Sequence, residues 1–306
     1  MDSNERYVKY RKNRIKRFKA VIIFMMFMLL IIPNVLSVYL FMNIKELQTS
    51  INILNAEVEN IKNTEVEINE NTELQIEETK NTNKQQVVYR TLTDKEAYPG
   101  YQRIYLTFDD GPSKNTDEIL DILNEYGAKA TFFVLKKDGF DDKYKRIVNE
   151  GHSLGIHSDT HDYSVIYSSP EKFEIDVNSV YNFISDLTSV KPVLYRFPGG
   201  SSNTIYKGDK QDLISIIDKT GLRYYDWNVA SNDSVNGGLA KEQITNNVIK
   251  GIGDKEDAFV LLHDTQDKYS TVEALRMILD SYSNKDNVIF LPVTEFTEPC
   301  EHVTRK

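Results

Sequence analysis

This 306-residue chain lacks several features that define well-known protein classes. It has a single cysteine, Cys300, which excludes an internal disulfide framework and a zinc site built from several cysteines. It has no G-x-S-x-G motif, which argues against a serine esterase. It also lacks an excess of positive charge. The net charge of −9 argues against non-specific nucleic-acid binding across its surface, so we expect no nucleic-acid partner.

Long hydrophobic runs are also scarce, and the clearest one, residues 20–42, lies near the N-terminus and contains no charged residue. A run of this length can span a bilayer as a helix. The basic segment before it, residues 1–19, places the N-terminus in the cytoplasm. We therefore predict a single-pass cell-membrane protein whose bulk is extracellular. The alternative is a cleaved signal peptide, but VLS at 35–37 is a poor cleavage site and apolar residues continue beyond it.

The next segment, residues 43–98, is predicted to be a stalk. Apolar residues recur at alternating spacings of four and three within residues 44–62, as in a short coiled coil that would allow weak self-association. A solitary helix next to the membrane is the alternative. From 63 to 98 the chain is rich in Asn, Glu, Thr, Lys and Gln, which is typical of a disordered tether.

From residue 102 the chain alternates short apolar segments with amphipathic segments of helical length, which is the pattern of repeated βα units. The predicted strands are 103–108, 130–135, 152–157, 192–197, 222–227, 258–263 and 287–292. The predicted helices lie near 115–126, 141–150, 170–189, 209–220, 240–250 and 270–283. These strands predict an α/β domain over 101–295 with a parallel sheet, and a reduced or deformed barrel fits their number best. A C-terminal tail, 296–306, follows.

The chemically reactive residues fall where the predicted strands end. They are Asp109, Asp110, His157, His161, Arg196, Asp233 and His263. In parallel α/β barrels, the loops at the carboxyl ends of the strands build the active site. This common placement predicts one site on one rim.

The segment H-S-D-T-H, which carries His157 and His161, indicates a metal site. Two imidazoles and one carboxylate leave coordination positions open, as hydrolytic metals require. The adjacent pair Asp109 and Asp110 fits this interpretation, because one carboxylate can bind the metal while the other accepts a proton. An Asp-Gly turn before a helix is the alternative, but it would need only one of the two acids.

These segments resemble the polysaccharide deacetylases of the NodB type, carbohydrate esterase family 4. Four motifs stand in the order of that family: TFDDGP (107–112), HSDTH (157–161), RFPGG (196–200) and LLHD (261–264). The resemblance covers roughly residues 101–295 and implies a deformed (β/α)7 barrel. It also implies a divalent metal, zinc in the first place and Co²⁺ or another ion otherwise.

The resemblance assigns roles to individual residues. It makes Asp109 the general base and His263 the general acid. Arg196 orients the base by an ion pair. The metal ligands implied are Asp110, His157 and His161. The residues expected to contact the substrate or its oxyanion are Tyr163, Pro198, Trp227 and Leu261.

The fourth motif of the family is where this chain departs from the pattern. The family commonly shows an Asp-Trp pair, whereas this chain has Asp233 followed by Ser234. We match Asp233 to the motif aspartate that supports His263, because its spacing from Trp227 is preserved. Asp226 is the competing assignment.

The resemblance, together with the predicted membrane anchor, implies hydrolysis of N-acetyl groups on a cell-wall polysaccharide. N-acetylglucosamine of peptidoglycan is the first expectation, and its deacetylation would hinder muramidases such as lysozyme. Muramic acid, other N-acetylglucosamine polymers and acetylated xylan remain open. Two further alternatives are a glycan-binding pseudoenzyme and an envelope scaffold.

Overall fold

A computed structural model describes residues 92–235 and 237–306. The helices within them are α1 (Asp94–Ala97), α2 (Thr116–Glu125), α3 (Asp141–Asn149), α4 (Tyr163–Ile166), α5 (Pro170–Thr188), α6 (Lys210–Lys219), α7 (Lys241–Ile252) and α8 (Tyr269–Tyr282). The strands are β1 (Gln102–Gly111), β2 (Ala130–Leu135), β3 (Ser153–Ser158), β4 (Leu194–Tyr195), β5 (Arg223–Tyr224), β6 (Val229–Ala230), β7 (Asp257–His263) and β8 (Val288–Phe290).

The strands form one parallel sheet in the order β5-β4-β3-β2-β1-β7-β6, and β8 also pairs with β1. The sheet curls into a half-barrel, which is consistent with the expected deformed barrel. Within the described residues, no ladder joins the edge strands β5 and β6. The prediction of a parallel α/β sheet is therefore confirmed, and the barrel stays open on one side.

Hydrophobic packing explains why the central strands are continuous apolar runs. Leu106 and Phe108 pack in the large core cluster, which also contains the buried residues of the surrounding helices. Tyr105, which directly precedes Leu106, packs instead with Phe133 and Phe259 in a smaller cluster. Successive side chains of a strand point to opposite faces, so both faces of the sheet are covered.

The bounds predicted from the sequence agree well with the structure for the helices and the long strands. Each of the six predicted helices is present within two residues at either end. The predicted strands 192–197 and 222–227 are wrong in length, because only two residues of each form ladder pairs. The strand β6 was not predicted.

The last residues of the predicted tether are ordered, which corrects that prediction for 92–98. Thr93 and Glu96 form a capping box at the start of α1. The carboxylate of Asp94 accepts hydrogen bonds from the hydroxyls of Tyr105 (3.1 Å) and Thr297 (2.6 Å). These bonds attach α1 to the barrel.

The remaining N-terminal predictions lie outside the described residues. These are the cytoplasmic segment, the membrane span at 20–42, the coiled coil and most of the tether. Among the helices of residues 92–235 and 237–306, none combines the length and the apolar character needed to cross a bilayer.

Candidate active site

The predicted reactive residues lie together at the carboxyl edge of the sheet. Asp109, near the end of β1, is the register partner of His263 at the end of β7. His157 lies near the end of β3, two strands away on the other side of β1. Because these strands are parallel, their carboxyl ends meet at one rim of the half-barrel.

Asp110, His157 and His161 form a cluster whose ligand atoms all lie within 4.8 Å of one another. The Nε2 atoms of His157 and His161 lie 3.5 and 3.3 Å from Oδ1 of Asp110. That oxygen is buried and has no hydrogen-bond partner. A buried carboxylate oxygen without a partner is unfavourable, and a cation between the three groups would satisfy it. Two imidazoles and one carboxylate also match the donor set of hydrolytic zinc sites, so the residues present fit a divalent metal.

The protonation of His161 suits this cluster. Burial lowers the pKa of His161, and the neighbouring His157 lowers it further. A lowered pKa keeps the imidazole neutral near pH 7, and only the neutral ring can donate a lone pair to a metal. At His157, Nδ1 lies 2.8 Å from the backbone carbonyl of Arg196. This bond places the proton on Nδ1 and leaves Nε2 free as a ligand.

The two histidines converge through a compact loop rather than a helix. β3 ends at Ser158, and its hydroxyl accepts the backbone N–H of His161 at 2.9 Å. His161 has a positive φ of 50°, which turns the chain back toward β1. The buried Asp176 of α5 accepts the Ser158 hydroxyl at 3.0 Å and the N–H of Asp159 at 3.1 Å. Asp176 is thus a support of the metal-ligand loop that sequence reasoning missed.

The turn after β1 is held by two further residues that sequence reasoning missed. Asp110 has a φ of 68°, and Lys137 donates to its carbonyl at 2.6 Å. Asp264 is fully buried and accepts the hydroxyls of Ser113 and Thr116. A side chain at Gly111 would come within 2.5 Å of Asp264, so the turn requires glycine there. Both partners are distant in sequence, which is why no local pattern indicates them.

Asp109 is buried and paired with Arg196. Nη1 of Arg196 lies 2.9 Å from Oδ1 of Asp109, and the guanidinium is fully buried. The other donors of Arg196 are also satisfied, since Nε and Nη2 donate to the carbonyls of Tyr225 and Asp226. The remaining oxygen of Asp109, Oδ2, faces the metal cluster at 4.0 Å from His157 Nε2. One carboxylate oxygen is therefore fixed and the other is directed at the cluster.

His263 stands on the opposite side of Asp109 and is paired with Asp233. Oδ1 of Asp233 lies 2.7 Å from Nδ1 of His263, and Oδ2 accepts the backbone N–H of His263 and the hydroxyl of Thr271, both at 2.9 Å. Burial alone would lower the pKa of His263, but the hydrogen bond and charge of Asp233, with the charges of Asp109 and Asp110, raise it to about 9. Asp233 in turn keeps a lowered pKa despite its burial, chiefly through His263.

Asp226, the competing assignment, has different partners. It is fully buried, and its carboxylate accepts the backbone N–H of Ser201 at 2.8 Å and that of His302 at 2.7 Å. Asp226 thus joins the loop after β4 to the C-terminal tail. The structure pairs His263 with Asp233 instead.

A cavity of about 410 Å³ opens over these groups. Among the residues expected to contact substrate, Tyr163, Trp227 and Leu261 line it, whereas Pro198 does not. The carbonyl of Pro198 accepts the hydroxyl of Tyr167 at 2.8 Å, and the contact of Pro198 with substrate stays a prediction. Residues that line the cavity and were not predicted are Gly199, Ser234, Thr265, Asp267 and Lys268.

Comparison with known proteins identifies the family. The family model for polysaccharide deacetylase matches residues 97–224. A peptidoglycan-N-acetylglucosamine deacetylase of Bacillus cereus is 34% identical over 197 residues, which are 63% of this chain and 86% of that protein. The chain belongs to the polysaccharide deacetylase family.

Two further proteins show how far the likeness extends. A putative polysaccharide deacetylase of Bacillus subtilis, YheN, is 31% identical over 194 residues. The aligned part is 61% of this chain and 65% of that relative. The crystal structure of the catalytic domain of a peptidoglycan N-acetylglucosamine deacetylase from Eubacterium rectale superposes with a TM-score of 0.64 at 35% identity. The superposition covers 71% of this chain and 98% of that domain. The likeness to these two proteins thus covers most of the chain, though not all of it.

Proposed function

We propose that this protein is a metal-dependent deacetylase that removes acetyl groups from N-acetylglucosamine in peptidoglycan. The observation that carries the proposal is the arrangement around one cavity. Around it lie the cluster of Asp110, His157 and His161, a carboxylate held by Arg196 and an imidazole held by Asp233. Amide hydrolysis needs these three elements, a metal site, a base and an acid, at separate positions.

The clustered side chains would hold a metal that supplies electrophilic chemistry. A divalent cation held by Asp110, His157 and His161, zinc in the first place and cobalt or another ion otherwise, would act as a Lewis acid toward the acetyl carbonyl and the attacking water. With two imidazoles and one carboxylate as ligands, coordination positions would stay open for substrate.

Asp109 is the general base. Its Oδ1 is occupied by Arg196 at 2.9 Å, which leaves Oδ2 to take a proton from the attacking water. As that proton leaves, the water oxygen bonds to the acetyl carbon and the carbonyl oxygen gains negative charge. The backbone N–H of Tyr163, beside the metal cluster, is the proposed protein donor to that oxygen.

His263 is the general acid. Its Nδ1 is bound to Asp233, so Nε2 is the nitrogen available to the substrate. Because the pKa of His263 is raised to about 9, the ring is protonated near pH 7. Transfer of the Nε2 proton to the amide nitrogen lets the carbon–nitrogen bond break, which yields acetate and a free amine.

Two observations support the proposed substrate and location. The relatives from Bacillus cereus and Eubacterium rectale are peptidoglycan N-acetylglucosamine deacetylases by name. The predicted span at 20–42 would fix the protein in the cell membrane with its N-terminus in the cytoplasm and the catalytic domain outside. Residues 44–62 would allow weak self-association at most. A tethered domain in that position would act on the cell wall, with lysozyme resistance as the expected consequence.

Acetate release tests the proposal. The full-length chain, purified in mild detergent, would be incubated with peptidoglycan and with N-acetylglucosamine oligomers. Three forms would be compared: zinc-loaded, chelator-treated, and Asp109→Asn. We expect release only from the zinc-loaded wild type, with activity restored to the chelated enzyme by zinc.

The other outcomes are equally informative. Release that a chelator does not affect would contradict metal dependence. A folded, zinc-bound protein that binds the glycan and releases no acetate would instead indicate a glycan-binding pseudoenzyme.

A further inference from the structure

Trp227, the only tryptophan of the chain, forms part of the cavity wall beside Leu261 and His263. Gly200 closes in on one side of its ring. A Cβ at Gly200 would lie 3.1 Å from Cη2 of the indole, and the φ of 82° at Gly200 favours glycine. The guanidinium carbon of Arg196 lies 5.8 Å from the ring centre. The loop after β4 therefore borders the indole.

No strand ladder positions Trp227. β5 ends at Tyr224 and β6 begins at Val229, so residues 225–228 lie between two strands of two residues each. On either side of Trp227, the N–H of Asp226 donates to the carbonyl of Cys300 at 2.7 Å and that of Asn228 to the carbonyl of Phe259 at 3.1 Å. The C-terminal tail thus supplies one of the backbone acceptors that a longer strand ladder would provide.

His302 of that tail contacts Trp227 in two ways. Its Nε2 lies 2.7 Å from the carbonyl oxygen of Trp227, which can only accept, so we assign the proton to Nε2. Its ring also meets the indole edge to face, with centroids 5.0 Å apart and planes at 78°. This is the geometry that aromatic pairs prefer. His302 and the loop that carries Gly200 thus both border the indole.

The tail is attached to the barrel by bonds that do not involve the His302 side chain. The N–H of Val303 donates to the hydroxyl of Ser201 at 3.0 Å, and the hydroxyl of Tyr224 donates to the carbonyl of Val303. Arg305 stacks on the ring of Tyr224 at 4.4 Å. A change of the His302 side chain should therefore leave the tail in place and act on Trp227 locally.

We infer that His302 is a positioning residue that holds Trp227 as the aromatic wall of the glycan-binding cavity. The C-terminal tail is by this inference a part of the substrate-binding apparatus. The inference rests on the proposed function for the nature of the ligand, an N-acetylated sugar chain. The contact between His302 and Trp227 does not depend on it.

Because the chain contains one tryptophan, its fluorescence reports this wall alone. Emission and acrylamide quenching would be measured on the full-length wild type, His302→Ala, His302→Phe and Arg305→Ala. We expect His302→Ala to shift emission to longer wavelength and to raise the quenching constant about twofold, since the indole gains solvent contact. His302→Phe keeps the ring contact and should restore most of the wild-type signal. Arg305→Ala is the matched control in the same tail: it removes one attachment but keeps the bonds of Val303, so it should shift the emission much less than His302→Ala.

The second measurement is ligand binding, followed by the change in Trp227 emission on titration with the tetramer of N-acetylglucosamine. His302→Ala should raise the apparent Kd about three- to tenfold. The turnover number for acetate release should change less than twofold, because His302 touches none of the groups that transfer protons.

Unchanged emission and quenching in His302→Ala would overturn the inference. An equal shift in Arg305→Ala would also overturn it, since the effect would then belong to the tail as a whole. A shifted emission with an unchanged Kd would show that the wall does not contact the glycan. Weaker glycan binding in His302→Ala without acetate release by the wild type would support the inference and count against the proposed function.

Discussion

The long central strands of the half-barrel and the short strands at its two edges hold their functional groups by different means. The central strands, or long-strand side, are β1 with ten residues, β7 with seven, and β2 and β3 with six each. The edge strands, or short-strand side, are β4 and β5 at one edge and β6 at the other, with two residues each. The long-strand side carries Asp109, Asp110 and His263, together with His157 near the end of β3 and His161 after it. The short-strand side carries Arg196, Asp233 and Trp227, which orient or surround them.

This difference shows how the site is stabilised. Strand register alone sets Asp109 beside His263, because the pairing of β1 with β7 is unbroken up to those two residues. On the short-strand side, buried side chains take the place of the ladder. Arg196 donates to Asp109 and to two carbonyls, and Asp226 joins a loop to the tail. We expect substitutions on the two sides to differ in kind as well as in size.

The largest effect should come from the long-strand side. Asp109→Asn removes the proposed base without changing its shape, so kcat should fall about 10²- to 10⁴-fold, as for loss of a general base. Zinc binding should persist, because Asp109 is not among the three clustered ligands. Acetate release and zinc content of the purified variant measure both. Wild-type kcat in Asp109→Asn would rule out this base.

His152 makes the stability of the long-strand side dependent on pH. Its Nδ1 accepts the N–H of Ala130 at 3.1 Å, and burial lowers its pKa from 6.5 to about 4. A depressed pKa means that this contribution to stability is complete above pH 6.5 and is lost as pH falls toward 4. The loss should reach about 3 kcal/mol.

Denaturant unfolding of the full-length chain at pH 7, 6, 5 and 4 tests this effect. His152→Gln, whose side-chain oxygen can accept the same N–H, should show a flatter profile than the wild type. Identical profiles for the two proteins would contradict the role of His152.

Asp176 is a support of a third kind, because it holds the metal-ligand loop from a helix rather than from the sheet. Asp176→Ala removes the acceptor for Ser158 and Asp159 and should weaken zinc binding about 10- to 100-fold, as for other groups that orient ligands. Asp176→Asn keeps an acceptor oxygen and should lose less. Competition with a zinc indicator measures the affinity. Equal zinc affinity in wild type and Asp176→Ala would show that the loop does not need this support.

The smallest effect should come from Asp233 on the short-strand side. A raised pKa keeps His263 protonated below about pH 9, so activity that needs the acid is present at lower pH and is lost as pH rises through that value. Asp233→Asn removes the charge that raises the pKa, so the alkaline limb of kcat should move down by about one pH unit or more. Thr271→Val, which removes a neutral partner of Asp233, is the control and should move the limb less. If the alkaline limb of kcat is unchanged in Asp233→Asn, a group other than His263 causes that limb.

Sequence reasoning identified much of the long-strand side. Strands such as 130–135 were predicted to the residue, because a buried parallel strand is a continuous apolar run flanked by turns. The placement of Asp109, His157 and His263 at strand ends followed from the same pattern. The convergence of Asp110 with the two histidines could be expected, although not the loop geometry that produces it.

Much of the short-strand side could not be predicted from the sequence, for physical reasons. The segments 192–197 and 222–227 are apolar enough to be strands, but only two residues of each pair, and local composition does not report ladder length. The partners of Asp226 are distant in sequence, since His302 and Ser201 reach it through tertiary packing. The tail at 296–306 carried no pattern at all. Its role depends on contacts that exist only in the folded protein.

The most direct test of the central proposal is mass spectrometry of muropeptides from peptidoglycan treated with the full-length, zinc-loaded chain. We expect loss of one acetyl group from the N-acetylglucosamine of each modified unit, with N-acetylmuramic acid intact, and no loss with Asp109→Asn. Acetyl loss confined to N-acetylmuramic acid would contradict the proposed substrate. No acetyl loss from any sugar by a protein that binds zinc would contradict the proposed reaction.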